Sequence, residues 1–201
     1  MPMNQAHMEL CSSPEWAEHI EKTIVPWATG DLTFGDNVLE IGSGPGLTTN
    51  VLQHKVSRLT ASEIDPEMAA ALAARFADVP NVTVIQADAT NLPFPDDTFS
   101  TVFSFTMLHH VPTVELQDAL FAEVARVLRP GGMLVGTDSL DSPSFRELHV
   151  GDICNVVNPL TLESRLRAAG FDEVSLTVWS IGVKFVARVS GMDRVSTGEH
   201  R

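Results

Sequence analysis

The stretch VLEIGSGPG, Val38 to Gly46, decides the fold of this 201-residue chain. A short, mainly apolar run is followed at once by glycines at positions 42, 44 and 46. Glycines adopt unusual φ values and let a backbone come close to a ligand. A strand that passes through such a loop into a helix is typical of an open parallel sheet, in which ligands bind beyond the carboxyl ends of the strands.

Strands and helices alternate on either side of this loop. The predicted strands are 38–41, 58–64, 82–85, 99–105 and 133–137, and the predicted helices are 47–55, one that opens at Asp65-Pro66, and 114–128. β-branched and apolar runs mark the strands, and apolar residues at helical spacing mark the helices. The alternation predicts an α/β fold, with a doubly wound parallel sheet covered by helices on both faces.

The N-terminal part of the chain has a helical pattern. Ser13 is a predicted N-cap, followed by Pro14 at the first helical position. Apolar side chains then recur at helical spacing at Trp16, Ile20, Ile24 and Trp27. We therefore predict that residues 1–34 form an N-terminal helical cap that covers a bound cofactor like a lid, with His7, Trp16 and Trp27 in it and core packing as the alternative role for the two tryptophans.

The C-terminal part of the chain departs from the alternation. A helix is predicted at 161–169, and two strands, 174–178 and 184–189, follow with few residues between them. That short connection fits an antiparallel hairpin, because a parallel pair needs a long crossover. The expected organisation is a single main domain at 35–190 and a polar tail at 191–201.

Composition excludes several classes of function. The net charge of −13 argues against nucleic acid as a partner, since binding its phosphates requires clustered Lys and Arg. No apolar run has the length of a membrane span, and the N-terminus lacks the pattern of a signal peptide, so we expect a cytoplasmic protein. A homodimer is the default expectation for the oligomeric state.

Acidic residues stand at the ends of the first three strands. Glu63 ends the second strand, where a carboxylate can accept hydrogen bonds from both ribose hydroxyls, while nearby Asp65 suits the N-cap of the next helix. Asp88 follows the third strand, and it is a candidate for an exocyclic amine or for capping its own loop. Glu40, beside the glycines, needs a partner if it is buried, either a ligand ammonium or the N–H groups of the loop.

These residues favour one ligand class over another. The dinucleotide fingerprint requires GxGxxG or GxGxxA, whereas this loop reads GxGxG, with Pro45 inside it and Leu47 at the sixth position. Three carboxylates suit a ligand with a ribose, an amine and a positive charge, and they suit a pyrophosphate badly. S-adenosylmethionine carries the first set of groups.

Four successive motifs resemble those of class I S-adenosylmethionine-dependent methyltransferases of the small-molecule type, such as the ubiquinone/menaquinone biosynthesis methyltransferases. They are VLEIGSGPG (38–46), ASEID (61–65), ADATNLPFPDDTF (87–99) and VARVLRPGGMLVGTD (124–138). The resemblance covers roughly residues 35 to 190, and it rests on the order of the motifs more than on any one of them. It implies a Rossmann-like, seven-stranded, mostly parallel sheet with an antiparallel last strand.

The resemblance also implies roles for individual residues in holding S-adenosylmethionine as co-substrate. The glycine loop would bind its methionine moiety, which the residues after the fourth strand would also border. The end of the second strand would bind the ribose, and the end of the third strand would bind the adenine. The implied set is Gly42, Gly44 and Gly46, Glu40 near the amino group, Glu63 for the ribose, Asp88 and the Ala89 backbone for adenine, and Phe105 and Thr106.

A general base is needed only if the methyl acceptor must lose a proton. The candidates, which lie in loops beyond strand ends, are His109, Asp138 and His149. Of the adjacent His109 and His110, we expect at most one to enter the cleft. His149 with Asp152 is a candidate pair of base and orienting acid, and for all of them the alternative is a structural role in a polar loop.

No metal site is expected. The one grouping that the sequence offers, His109, His149, Asp152 and Cys154, lacks the tight ligand spacing of zinc sites. Cys11 and Cys154 lie far apart, so they form neither a disulfide framework nor a CxxC pair.

Methyl transfer to a small or lipid-like acceptor is the function that these patterns favour, because the insert at 139–160 is too short for a large acceptor-binding subdomain. Two alternatives stay open. One is a non-catalytic module that binds S-adenosylmethionine and regulates a partner, since binding and catalysis are separable. The other is a nicotinamide-dependent oxidoreductase, which the sequence of the glycine loop disfavours.

Overall fold

A computed structural model of the chain describes residues 3–180 and 182–191. Seven strands form one sheet: β1 Val38–Ile41, β2 Leu59–Glu63, β3 Val82–Gln86, β4 Phe99–Phe105, β5 Leu128–Ser139, β6 Phe171–Val178 and β7 Gly182–Val189. Their order is β3-β2-β1-β4-β5-β7-β6. Strands β1 to β5 pair in parallel, and β7 is antiparallel to both of its neighbours. This confirms the predicted fold class, including the hairpin.

Within the described residues, eight α-helices connect or flank these strands: α1 Gln5–Cys11, α2 Pro14–His19, α3 Val25–Thr29, α4 Leu47–Leu52, α5 Pro66–Arg75, α6 Val114–Val127, α7 Pro143–Leu148 and α8 Pro159–Ala168. A π-helical turn, Ile20–Ile24, joins α2 to α3, and a 3₁₀ turn, Leu108–His110, follows β4. None of the described helices is long and apolar enough to cross a membrane.

The core consists of two main apolar layers, one on each face of the sheet. Leu39 and Ile41 point to the face covered by α6 and α8, whereas Val38 and Phe103 point to the face covered by the N-terminal helices. Side chains of a strand alternate between faces, so the short β1 supplies both layers. The two layers fix β1 at the centre of the sheet, and with it the position of the glycine loop.

The N-terminal helices begin where the sequence predicts. The Ser13 hydroxyl accepts a hydrogen bond from the Trp16 N–H at 3.1 Å, with Pro14 at the first helical position. Pro26 has no N–H, and next to it the helix widens into the π-helical turn, in which the Val25 N–H bonds to Ile20 O. These helices pack against the sheet. Their role as a lid stays a prediction, and residues 192–201 of the predicted tail lie outside the described residues.

Two helices were not expected from the sequence. Helix α7 lies in the stretch interpreted as loop-rich, although Ser142 caps it by accepting from the Phe145 N–H at 3.2 Å and Pro143 starts it. Helix α1 is capped in the same way by Asn4. Strand β5 also begins earlier than predicted, at Leu128, because it crosses the Pro-Gly-Gly turn through an irregularity in its pairing with β4.

Candidate active site

The glycine loop lies at the carboxyl edge of the sheet, between β1 and α4. All three glycines have positive φ, with Gly42 at 67°, Gly44 at 52° and Gly46 at 82°. A Cβ at Gly42 would lie 2.8 Å from Met107 Cε, and one at Gly46 would lie 2.3 Å from Leu72 Cδ1. The nearest atom to a Cβ at Gly44 is 3.7 Å away. Gly42 and Gly46 are therefore required by packing, while Gly44 leaves room beside the loop.

Backbone amides of the loop are engaged within the protein. The Ser43 N–H donates to Ser62 O at 3.0 Å, and the Gly46 N–H donates to Ser43 O at 2.9 Å. The Gly44 N–H donates to Glu63 Oε2 at 2.9 Å. A dinucleotide loop binds pyrophosphate through N–H groups that point at the ligand. These three amides are not available for that purpose.

Glu63 occupies the end of β2, beside the loop. Besides Gly44, its carboxylate accepts a hydrogen bond from the Asp65 N–H at 3.0 Å, and the side chain is only 7 % exposed. Asp65 in turn caps α5, accepting from the N–H groups of Glu67 and Met68, as the sequence predicts. The cap leaves Glu63 as the acid that faces the loop.

Glu40 is buried at 2 % exposure on β1. Its carboxylate accepts a hydrogen bond from the Thr49 hydroxyl at 2.6 Å, a partner on α4 that the sequence analysis did not consider. Burial raises the pKa of Glu40 to about 7; the Thr49 bond opposes this shift, and the negative charge of Glu63 adds to it. Among the described residues, neither acid forms an ion pair with a Lys or Arg.

The third strand ends in the predicted Asp88-Ala89 pair. Asp88 is exposed, and its Oδ1 accepts from the Thr90 N–H and hydroxyl at 2.8 Å each, so it caps its own loop, the alternative that the sequence left open. Ala89 is half-buried against the core. The adenine-binding role of both residues stays a prediction.

The fourth strand ends with an unusual backbone conformation. Thr106 has a φ of 49°, although it is β-branched, and its N–H bonds to Thr137 O at 2.8 Å. Residues in this region cost about 1–3 kcal/mol and cluster at functional sites. Phe105 is buried against Phe103, with ring centroids 5.3 Å apart, so this position offers the cleft its backbone and not its ring.

The three candidate catalytic residues lie together. His109 Nδ1 donates to Asp138 Oδ1 at 2.7 Å, and His149 packs edge-on against His109, with ring centroids 4.9 Å apart. His149 Nδ1 donates to Phe145 O at 2.7 Å. Both His109 and His149 are buried, and the Nε2 of each has no hydrogen-bond partner in the described part of the chain.

The histidines are arranged differently from the expected pairing. His109 and His110 enter the same cluster, with ring centroids 4.2 Å apart, and the expectation that at most one of them enters the cleft stays a prediction. Asp152 does not pair with His149 but accepts from His7 Nδ1 at 3.0 Å. His7 is thus the residue at this site that sequence spacing missed, since it lies on α1, far away in the chain.

The four histidines form one group, in which His7, His109 and His149 are buried and His110 is half-buried. Burial is the main cause that lowers the pKa of His7, His110 and His149 below the usual value, and the neighbouring His109 lowers each of them further. Cys154, a member of the grouping that the sequence offered, does not belong to this cluster.

The strand order, the glycine loop and the acids at two strand ends together define the class I methyltransferase fold. Residues 39–136 match the family model described as a methyltransferase domain. The chain belongs to the class I S-adenosylmethionine-dependent methyltransferases, for which S-adenosylmethionine is the co-substrate.

Similar proteins carry related names. The 27-O-demethylrifamycin SV methyltransferase of Amycolatopsis mediterranei (strain S699) is 35 % identical over 161 residues, which are 72 % of this chain and 57 % of that protein. The demethylmenaquinone methyltransferase of Tropheryma whipplei (strain Twist) is 31 % identical over 104 residues, which are 52 % of this chain and 42 % of that protein. The chain thus spans about half the length of these curated relatives.

A solved structure shows the same fold over nearly the whole chain. The S-adenosylmethionine-dependent methyltransferase from Aquifex aeolicus aligns with a TM-score of 0.74 and 18 % identity, covering 94 % of this chain and all of that one.

Proposed function

We propose that the protein transfers a methyl group from S-adenosylmethionine to a small-molecule or lipid-like acceptor. The observation that carries the proposal is the pair of buried acids beside the glycine loop, Glu40 and Glu63, which no Lys or Arg among the described residues neutralises through an ion pair. The two nearby carboxylates repel each other. A cationic ligand would offset this repulsion, whereas an anionic ligand would add to it.

The chain's own residues divide the work of binding. Gly44 leaves space for the ligand, Glu63 is oriented by two N–H groups to accept from a ribose, and Glu40 lies behind the loop to balance an ammonium group. Asp88 and Ala89 border the proposed adenine position, and Phe105 and Thr106 border the methionine moiety through the backbone. Gly42 and Gly46 shape the loop. S-adenosylmethionine supplies a methyl group on a sulfonium, and the protein supplies alignment.

The proposed acceptor class rests on the relatives and on the architecture. The names of both relatives describe low-molecular-weight acceptors, a demethylrifamycin and a demethylmenaquinone. Between β5 and α8 this chain has only the short helix α7, so it adds no large subdomain that would bind a macromolecule. Cytoplasmic location and a homodimer stay predictions.

The nicotinamide alternative is disfavoured by the engaged loop amides. The regulatory alternative differs from the main proposal only in catalysis, so three measurements together distinguish the three functions. Calorimetric titration with S-adenosylhomocysteine and fluorescence titration with NADH distinguish the ligand class, and methyl transfer from labelled S-adenosylmethionine to extracted metabolites and lipids distinguishes enzyme from module.

We expect heat with S-adenosylhomocysteine, no NADH binding, and label in an extractable product. Absence of heat with both S-adenosylmethionine and S-adenosylhomocysteine would contradict the proposal, and heat without labelled product would favour the regulatory module.

A general base is not part of this proposal. The bond from His109 to Asp138 suits a base and its orienting acid, but His109 Nε2 is enclosed by other rings and has no open path to an acceptor. The catalytic role of His109, Asp138 and His149 stays a prediction.

A further inference from the structure

Four histidines from three separate segments meet beside the end of β4. His7 lies on α1, His109 and His110 lie on the turn after β4, and His149 follows α7. One ring nitrogen from each of the four lies within 4.8 Å of the others. The rings contact one another closely, with centroids 4.3 Å apart for His7 and His149. We call this group the histidine cluster.

Three rings of the histidine cluster are held from outside by a hydrogen bond. His7 bonds to Asp152, His109 bonds to Asp138, and His149 bonds to the carbonyl of Phe145, in each case through Nδ1. Metal-binding histidines have this arrangement, in which a carboxylate or carbonyl fixes the tautomer and directs the other nitrogen at the ion.

The inner nitrogens have no equivalent partners. Nε2 of His109 and Nε2 of His149 are buried, and neither makes a hydrogen bond within the described residues. A buried polar atom without a partner costs about 1–3 kcal/mol, and such atoms call for an explanation. Two of them directed into one group of imidazoles are explained by an ion that both bind.

We propose that His7, His109, His110 and His149 bind a divalent transition-metal ion, with Zn²⁺ as the representative of its class. Four imidazoles suit zinc and its neighbours, whereas Mg²⁺ and Ca²⁺ prefer oxygen ligands. Behind the rings, Asp138 and Asp152 supply two negative charges, which match the charge of a divalent ion.

The proposed site is structural and closed. Zinc sites with four protein ligands are tetrahedral, with nitrogens about 2.0–2.1 Å from the ion and so roughly 3.4 Å from one another. The cluster needs only a modest contraction to reach this geometry. With four protein ligands no position is left for an acceptor, so the ion stabilises the architecture and does not take part in methyl transfer.

The ion links the N-terminal helix to the rest of the protein. The segment that carries His7 is already docked on the same insert, since the Asn4 N–H donates to Asp152 Oδ1 at 2.6 Å and Asn4 Nδ2 donates to Leu148 O at 2.7 Å. Binding of the ion by His7 would stabilise this contact between α1 and the insert. Metal removal is therefore expected to loosen residues 4–11 first.

The test uses the full chain and needs no cofactor, so its result is independent of the proposed methyl transfer. The protein is stripped with a chelator, reloaded with Zn²⁺ or Co²⁺, and desalted. We expect one ion per chain by mass spectrometry of the metal, a visible Co²⁺ spectrum of a four-coordinate site, and zinc X-ray absorption with four nitrogen neighbours and imidazole scattering.

Variants identify the ligands. His7→Ala and His149→Ala are expected to weaken Zn²⁺ binding at least about 100-fold, and Asp152→Asn about 10- to 100-fold because it removes an outer partner. His54→Ala is the matched control, since His54 is exposed and lies outside the cluster. His7 lies on the seven-residue helix α1, outside the sheet, so His7→Ala keeps the test valid if His149→Ala fails to fold.

Two results would overturn the proposal. One is a reloaded wild-type protein that retains no stoichiometric metal after desalting. The other is a folded His7→Ala protein that binds Zn²⁺ as tightly as the His54→Ala control, which would leave the cluster as imidazole rings packed without an ion.

Discussion

The Gly44 N–H donates to Glu63 Oε2 at 2.9 Å, and this bond joins the loop after β1 to the end of β2. The other carboxylate oxygen is fixed by the Asp65 N–H. Glu63 is thus oriented by two backbone groups of its own protein before any ligand arrives. Such preorganisation lowers the ordering cost of binding, so the proposed ribose role of Glu63 predicts that its orientation by the loop affects the affinity for the ligand.

Glu63→Ala is expected to weaken S-adenosylhomocysteine binding roughly 10- to 100-fold, because a hydrogen bond to a charged group contributes about 1.5–3 kcal/mol. Titration calorimetry measures the change. Glu67→Ala is the control, since this exposed acid in the first turn of α5 has the same charge and lies near the same strand end. Equal affinity of the two variants would contradict the role given to Glu63.

The contribution of Glu40 to the stability of the ligand-free protein is expected to fall as the pH rises from about 4.5 to about 7. In that window the unfolded chain releases the proton of Glu40, whereas the folded chain retains it because burial raises the pKa of Glu40 to about 7. Glu40 therefore contributes its full stability below pH 4.5, and that contribution is lost as the pH passes through 7.

Glu40→Gln removes this titration, so the stability of the variant relative to wild type should rise over the same window, by an amount on the order of 3 kcal/mol. Urea unfolding at a series of pH values measures the difference between the two proteins, in which other titrating groups cancel. Parallel stability curves for wild type and variant would show that Glu40 keeps an ordinary pKa.

Substitution of Gly46 and of Gly44 by alanine is expected to distinguish a glycine needed for packing from one needed for cofactor binding. Gly46→Ala should destabilise the protein by about 2–4 kcal/mol, because the new Cβ meets Leu72 at 2.3 Å and the residue has positive φ. Gly44→Ala meets nothing closer than 3.7 Å, so it should cost only about 1 kcal/mol of stability while it weakens cofactor binding.

Thermal unfolding and calorimetric titration, applied to both glycine variants, give the comparison. If Gly44→Ala binds S-adenosylhomocysteine with wild-type affinity, the space beside Gly44 is not the place that the ligand occupies.

Local patterns in the sequence were sufficient for the sheet and for the acids that border it. The glycine loop, Glu63 at the end of β2 and the cap at Asp65 are all features whose partners lie within one β-α-β unit. The hairpin of β6 and β7 was also predictable, because a short connection permits only an antiparallel pair.

Contacts between distant segments could not be predicted in this way. The pairing of His7 with Asp152 joins residues 145 positions apart, and it depends on how α1 packs against the insert that carries α7. The spacing of ligands along the sequence cannot predict such a site, since three separate segments supply the four rings. The Thr49 partner of Glu40 was missed for a related reason, because it requires the orientation of α4 against β1.

Thr106→Gly is expected to raise stability and to impair methyl transfer. A β-branched residue at a φ of 49° carries strain that glycine relieves, so we expect a gain of about 1 kcal/mol in the free energy of unfolding. Strained residues are retained where they shape a site, and Thr106 follows the strand that borders the proposed methionine position.

Asp97→Gly is the matched control for Thr106→Gly. Asp97 also has positive φ, at 55°, but it lies in the exposed loop before β4, at the opposite end of that strand. Both variants should gain stability in urea unfolding, and only Thr106→Gly should lose affinity for S-adenosylhomocysteine. Suppose that Thr106→Gly gains stability and binds S-adenosylhomocysteine as tightly as Asp97→Gly does. The strain at Thr106 would then have no role in binding, because relieving a strain that shapes the binding site must also weaken binding.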